Sequence, residues 1–324
     1  MKTWDIAIVG GGGAGLTAAM YGARGRRHVV VFERKLTGGQ IATTDLVENF
    51  PGFPRGVNGF DLGQSMLAQA EKFGATVIYE GVDSLEREPS GMFRLRVGEE
   101  EHRARTVIVT AGAEYRHLDV PGEEALTGRG VSYCATCDAA FFKDMDVAVV
   151  GGGDAAMDEG MFLTRYAKSV TVIHRRDSLR ASKMLQERAF SNPKMHFVWD
   201  TVVEAIEGES AVTGARLRNV KTGVESRIAV AAVFVFIGHM PNNELLNGLV
   251  EVDDDGQVLV DLRMRTTTPG LFVAGDVRTQ AARQLISACG DGATAAIAAE
   301  RYLQDLDGGA GELPAVVPSI NAAV

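Results

Sequence analysis

The segment Cys134-Ala-Thr-Cys137-Asp138 holds the side chains of this 324-residue sequence best suited to covalent chemistry. A two-residue spacer lets two thiols close a small disulfide ring, and lets one thiolate be stabilised by its neighbour. The carboxyl group of Asp138, next in the chain, is placed to deliver or remove a proton as the dithiol forms and breaks. Structural zinc is the main rival reading, and it wants four protein ligands. The remaining cysteine, Cys289, stands alone in a predicted C-terminal helix, and no histidine pair has finger-like spacing, so no metal is expected. An inert buried pair is the other rival, and an acid directly beside it argues for function. Cys289 itself reads as a core thiol.

A second chemical feature is Gly10-x-Gly12-x-x-Gly15, which follows the apolar run Asp5-Ile-Ala-Ile-Val. Glycines there permit a tight turn and let the backbone approach a pyrophosphate, with the next helix N-terminus facing the negative charge. Glu33, at the end of the following apolar strand, can accept hydrogen bonds from ribose hydroxyls. The combination is assigned to the ADP half of FAD.

The third feature is Gly151-x-Gly153-x-x-Ala156, again between a strand and a helix. The position matching Glu33 is now His174, followed by Arg175 and Arg176, with Arg180 a turn later. A carboxylate there repels a 2′-phosphate, whereas arginines grip one with charge-assisted hydrogen bonds. This pocket is expected to take NADPH in preference to NADH. The alternative is a solvated basic helix start.

The elements that carry these loops form an internal repeat. An offset of 141 residues relates Gly10 to Gly151 and, without a gap, Glu33 to His174. Each copy reads as strand, glycine turn, helix and second strand, a βαβ unit, with residues 29–32 and 170–173 as the second strands. Further strands are predicted at 106–112, ending in a small-residue turn at Gly112, at 233–238 and at 271–276, with an alanine-rich helix over about 283–303. The fold class is therefore α/β with two Rossmann-like nucleotide-binding domains, the NADPH domain inserted into the FAD domain. The predicted limits are 1–113 and 244–307 for the FAD domain and 114–243 for the NADPH domain, which also carries the cysteines. Crossings near 114–117 and 240–243 form a hinge. Residues 308–324, rich in Gly, Pro and Ala, read as a flexible tail.

Composition narrows the class. A net charge of −9 argues against nucleic acid or an anionic membrane as partner. Three cysteines are too few for a disulfide-stapled secreted scaffold. No stretch approaches the roughly 20 apolar residues needed to span a bilayer. The first 20 residues, broken by Gly10 to Gly13, read as a strand and turn rather than a signal peptide. A cytoplasmic enzyme is expected.

A hydride carries two electrons and a disulfide accepts two, and flavin can pass them between the two. With that inventory the sequence resembles the low-molecular-weight, bacterial-type thioredoxin reductases over roughly residues 4–306. The resemblance is carried by Gly10-Gly-Gly-Gly-Ala-Gly15, Gly38-Gly-Gln40, Val47-Glu-Asn-Phe-Pro-Gly52, Cys134-Ala-Thr-Cys-Asp138, Gly151-Gly-Gly-Asp-Ala-Ala156, His174-Arg-Arg-Asp177, Ala274-Gly-Asp276 and Arg283-Gln284. It implies domains of the three-layer ββα kind and FAD contacts at Gly39, Gln40, Asn49, Gly112 and Asp276. It places Arg283 and Gln284 at the start of the last helix, against the flavin ring. It implies that Cys137 faces the flavin, that Cys134 attacks the disulfide of thioredoxin, and that Asp138 is the acid–base residue. It also implies a homodimer and rotation of the NADPH domain between half-reactions.

Three positions depart from the family pattern: Gly13 for a common proline, Asp154-Ala155 for a frequent Asn-Thr, and Ala139 for a frequent glycine. Asp154 would weaken NADPH binding if its charge pointed at the pyrophosphate. The flavin-reductase part of a peroxide-reducing system shares this core but usually carries an added N-terminal thioredoxin-like region. Ferredoxin–NADP reductases of the same fold lack the cysteine pair, and ferredoxin-fed relatives tend to lose the basic cluster. A catalytically silent nucleotide sensor would have no need of Cys134, Cys137 and Asp138.

Overall fold

A computed structural model describes residues 2–44 and 46–308. The predicted tail therefore lies outside the described residues, apart from Gly308, which caps the last helix. The chain divides into two compact units, Met1–Glu114 with Met240–Val324, and Tyr115–His239. The division falls inside the predicted 114–243 limits. Residues 240–243 belong with the first unit because Asn242 donates to the carbonyls of Gly112 and Ala111, and Asn243 Nδ2 to that of Gly256. At the two crossings, strands Ala113–Tyr115 and His239–Pro241 pair with each other.

Within the first unit, strands Thr76–Ile78, Val29–Phe32, Lys2–Val9, Glu100–Val109 and Leu271–Val273 form a parallel sheet. The long strand Glu100–Val109 continues into an antiparallel meander with Phe93–Val97 and Ser84–Arg87. Alternation along the first strand builds the layers. Ile6 and Ile8 face the helices, packing with Ala18, Ala19, Ala295 and Ala299. Ala7 and Val9 face the meander, packing with Phe93 and Leu95. Small residues allow the helices to come close: a Cβ on Gly292 would meet the Ala14 carbonyl oxygen at 2.0 Å.

The second unit repeats the plan. Strands Met195–Val198, Ser169–Ile173, Asp146–Gly151, Ala232–Phe236 and Val131–Ser132 form a parallel sheet in that order. Val147 and Val149 face the helices, and Ala148 and Val150 face the meander of Thr201–Gly208, Val212–Asn219 and Glu225–Ile228. The offset survives in the register: Ile6 pairs with Val29, and Val147 with Val170. Each unit is thus a helix layer, a parallel sheet and a meander around two cores.

The predicted strands at 106–112, 233–238 and 271–276 end earlier than expected, at Val109, Phe236 and Val273. The residues after each leave the ladder to form loops. The last helix is Leu285–Asp307, not 283–303. Arg283 has a left-handed backbone, φ 53°, which no helix continues. Gln284 is the N-cap, in a capping box with Ser287.

Candidate active site

Cys134 and Cys137 form a disulfide with Cα atoms 5.3 Å apart, a normal separation for a bridge. The pair opens the short helix Ala135–Asp138, with Cys134 at its N-cap. Strand Val131–Ser132 delivers the chain to this turn, and Glu159 anchors it by accepting the Ala135 N–H at 3.1 Å. Cys134 is half-buried and Cys137 exposed. Asp138 is half-buried, and burial pushes its carboxyl above the ordinary carboxylate range, opposed by a hydrogen bond from Ser132. Ser132 Oγ donates to Asp138 Oδ2 at 2.6 Å and accepts the Cys134 N–H at 3.1 Å. One turn of chain therefore presents an oxidised dithiol with a carboxyl group whose burial favours holding a proton.

In the first unit the glycine loop is built for close approach. Gly10 has φ 107°, and a Cβ on Gly15 would lie 1.9 Å from the Gly10 carbonyl oxygen. Glu33 accepts the Gly11 N–H at 2.6 Å and the Lys35 N–H at 2.7 Å, which fixes its carboxylate beside the loop. Helix Gly13–Arg24 starts at Gly12 with no side-chain cap, leaving its first N–H groups for a ligand. Gly38 donates its N–H to the Gly11 carbonyl, which brings the Gly38–Gln40 turn to the same loop. Gln40 Nε2 donates to the Ala113 carbonyl at 2.6 Å, next to Gly112. Asn49 Nδ2 donates to Gln284 Oε1 at 3.0 Å. Asp276 Oδ1 and Arg283 Nε are buried with no hydrogen-bond partner among the described residues. Burial raises the Asp276 carboxyl above its ordinary range, and Arg283 opposes the rise. Unsatisfied buried polar atoms of both kinds, beside an uncapped helix, fit a large dinucleotide with hydroxyl donors and acceptor oxygens. These residues are therefore able to hold FAD.

In the second unit helix Asp154–Leu163 starts at Gly153, again without a side-chain cap. Ala156 replaces the third glycine, and the loop has room for its methyl group because it is Gly151 that packs against it. His174 is buried, unlike the exposed Arg175, Arg176 and Arg180. Its ring lies against Gly152, where an added Cβ would meet it at 2.3 Å, and edge-on to Trp199. Its Nε2 is buried without a hydrogen-bond partner among the described residues. Burial, with the neighbouring arginines, holds the imidazole below its ordinary pKa, so it is neutral at pH 7. Arg180 Nη2 is the nearest atom to a Cβ on Gly153, at 3.9 Å. The loop is thus open, rimmed by cations, and fit for a phosphorylated nucleotide. Asp154 Oδ1 accepts the Ser182 N–H at 2.6 Å, so this charge ties the basic loop to the helix start.

Several functional neighbours carry no sequence signature of their own. Ser132 and Glu159 brace the cysteine turn. Buried Glu123 accepts the N–H groups of Leu118 and Asp119 and the Tyr133 hydroxyl, each at 2.8 Å, and so holds the segment entering that turn. Asp291, buried in the last helix, accepts from Gly275 N and Arg278 and fixes the loop carrying Asp276. Among the described residues no group of three or more His, Cys, Asp or Glu is arranged to hold a metal, and no helix is long and apolar enough to cross a membrane.

Known proteins share this arrangement. The pyridine nucleotide-disulphide oxidoreductase family model matches residues 4–293. A thioredoxin reductase of Mycolicibacterium smegmatis is 51% identical over 304 residues, covering 94% of this chain and 97% of the relative. One from Streptomyces coelicolor is 49% identical over 304 residues, covering 93% and 94%. The crystal structure of thioredoxin reductase from Streptococcus pyogenes superimposes with a TM-score of 0.89 at 44% identity, covering 94% of this chain and 99% of that one. The family's membership implies use of FAD and NAD(P)H. With its glycine loops and its Cys134–Cys137 redox-active disulfide in place, the chain belongs to the bacterial low-molecular-weight thioredoxin reductases of the pyridine nucleotide-disulphide oxidoreductase family.

Proposed function

We propose that this enzyme draws its electrons from NADPH rather than NADH and delivers them through FAD and Cys134–Cys137 to the disulfide of thioredoxin. The observation that carries the reading is the shared unit: the disulfide with Asp138 and the cation-rimmed glycine loop both lie within Tyr115–His239. FAD, when bound, supplies the means of converting a hydride into a thiol pair.

The protein's own residues do the rest. The N–H groups at Gly12 and Gly153 and the helices behind them receive the two pyrophosphates. Glu33 orients a ribose, and Asp276, Arg283 and Gln284 hold the flavin end. Arg175, Arg176 and Arg180 grip the 2′-phosphate, while neutral His174 packs the adenosine side of the loop. Asp138 gives a proton to the sulfur released as the disulfide opens and takes one back when it re-forms. Cys134 attacks the disulfide of thioredoxin, forming a mixed disulfide and releasing one thioredoxin thiolate. Cys137, the thiol on the flavin side, then attacks the Cys134 sulfur, releasing the second thiolate and restoring the Cys134–Cys137 bridge. Because nicotinamide and disulfide share one unit and each must meet the flavin, that unit turns on the paired crossings between half-reactions. The active species in this reading is a cytoplasmic homodimer.

Purified protein should be yellow, bleach with NADPH, and reduce an artificial disulfide only after thioredoxin is added. A Cys134→Ser, Cys137→Ser double variant should still bleach but no longer reduce thioredoxin. Retained thioredoxin reduction by that variant overturns the proposal.

A further inference from the structure

Ser132 is 4% exposed and sits at the end of a strand that pairs with Ala232–Phe236, Ser132 opposite Phe234. Its hydroxyl has three neighbours in hydrogen-bond range: Asp138 Oδ2 at 2.6 Å, the Cys134 N–H at 3.1 Å and the Cys134 carbonyl oxygen at 3.3 Å. A hydroxyl owns one proton and two lone pairs. It cannot donate to Asp138 and to the Cys134 carbonyl at once. The two acceptors therefore define two settings of one group.

When Asp138 is a carboxylate, the Ser132 proton belongs on Oδ2, the shorter contact. When Asp138 is protonated, its own O–H can donate to Ser132 Oγ, and the Ser132 proton turns to the Cys134 carbonyl. In both settings Oγ also accepts the Cys134 N–H, so nothing is left unsatisfied and no heavy atom has to move.

We propose that Ser132 is a positioning residue for the disulfide half-reaction, holding the Asp138 carboxyl group at the cysteine turn in both of its protonation states by reversing its hydroxyl. This rests on the reading of Asp138 as the acid–base group. The balance is simple. Opening the S–S bond takes two electrons, which bound FAD would supply, and gives two sulfurs at the thiolate level, one of which stays a thiolate. The other takes the proton of Asp138, which becomes a carboxylate, and the Ser132 proton turns from the Cys134 carbonyl to Oδ2. Disulfide formation runs the same sequence backwards.

The surroundings leave Ser132 in charge of this carboxyl group. The strand Ala232–Phe236 beside it is wholly apolar. The helix Asp154–Leu163, packed against the cysteine turn, brings Glu159, which is occupied with the Ala135 N–H. No charged side chain among the described residues shifts Asp138, whose environment is set by burial and by Ser132.

The test follows the pH profile of kcat for thioredoxin reduction in the FAD-loaded enzyme, with bound FAD per chain as the check on folding. The limb that disappears in Asp138→Asn belongs to Asp138. In Ser132→Ala the carboxylate loses a charge-assisted hydrogen bond and the neutral acid only a weaker one, so that limb should move about one pH unit upward, a tenfold change in the proton equilibrium. Ser132→Thr keeps the hydroxyl and should bring the limb back to its original pH. In the Asp138→Asn background, Ser132→Ala should move no limb. A Ser132→Ala enzyme that is merely slower, with the limb unmoved, overturns the proposal and leaves Asp138 as the acid. An Asp138→Asn profile that keeps every limb overturns the acid–base reading itself.

Discussion

Glu33 and His174 occupy equivalent places in the two glycine loops: Glu33 Oε2 accepts the Gly11 N–H at 2.6 Å, and the His174 ring lies where a Cβ on Gly152 would meet it at 2.3 Å. The same backbone niche thus holds an anion in one unit and a neutral ring in the other. A carboxylate there favours free ribose hydroxyls, and its absence leaves exposed Arg175 and Arg176 free to attract a phosphate.

Replacing both arginines, Arg175→Ala with Arg176→Ala, should raise the KM for NADPH roughly 10- to 100-fold, the scale of losing charge-assisted hydrogen bonds. The KM for NADH should hardly change. Steady-state kinetics with both nucleotides decide it, and equal losses would count against the phosphate pocket.

His174 also links stability to acid. Burial is the main reason its imidazole sits below the ordinary value of 6.5; a backbone hydrogen bond with Ser178 opposes this, and Arg176, Arg175 and Arg180 add to it. As pH falls below about 6.5 the unfolded chain binds a proton that the folded chain refuses, so stability declines until the depressed pKa is reached. Burial depresses His102 in the same direction. His174→Gln should therefore flatten the fall in Tm between about pH 7 and 5. A Tm slope identical to that of the parent protein would remove His174 from the account.

Two glycines of the first loop should fail differently. At Gly15 a methyl group would strike the Gly10 carbonyl at 1.9 Å, so Gly15→Ala should lower Tm even without flavin. At Gly12 the nearest atom to an added Cβ is Gly39 Cα at 4.0 Å, so Gly12→Ala should fold normally and lose FAD instead. Thermal melts of the apoprotein and flavin content per chain separate the two outcomes. Normal flavin binding by Gly12→Ala would show that the pyrophosphate does not lie there.

Asp138 should trade stability for activity. Its folded pKa is raised by burial, so the folded chain holds a proton that the unfolded chain has already released, and stability falls as pH rises through that window. Asp138→Asn removes the buried charge. The variant should melt at least as high as the parent at pH 8 while reducing thioredoxin ~100-fold more slowly. A large drop in Tm would mean that the carboxylate serves structure first.

Much of this architecture is legible in the sequence because it is written twice. The offset that joins Gly10 to Gly151 also relates the pairing of Ile6 with Val29 to that of Val147 with Val170, since the same length of chain separates the paired residues in both copies although the strands and helices within it differ in length. The cysteine turn is legible because few residue types can do its chemistry. Other features have no such signal. The start of the last helix is hidden because its cap is Gln284 with Ser287, not one of the common cap residues. Strand Glu225–Ile228 is largely exposed and charged, so it shows no apolar alternation. Ser132 and Glu159 act through contacts that only folding creates, and a serine before a cysteine, or a glutamate on a helix, has many other uses. Asp154 shows the same limit: only folding brings its carboxylate to the Ser182 N–H, a contact that links two loops 28 residues apart in sequence.

The pairing of Ala113–Tyr115 with His239–Pro241 has a consequence for how so long an insertion is tolerated. To the host sheet, the intervening polypeptide behaves like a hairpin tip whose ends are already together, so its length adds little to the entropy of closing the host. A lineage could enlarge, trim or exchange everything beyond that ladder without disturbing the assembly of the flanking fold.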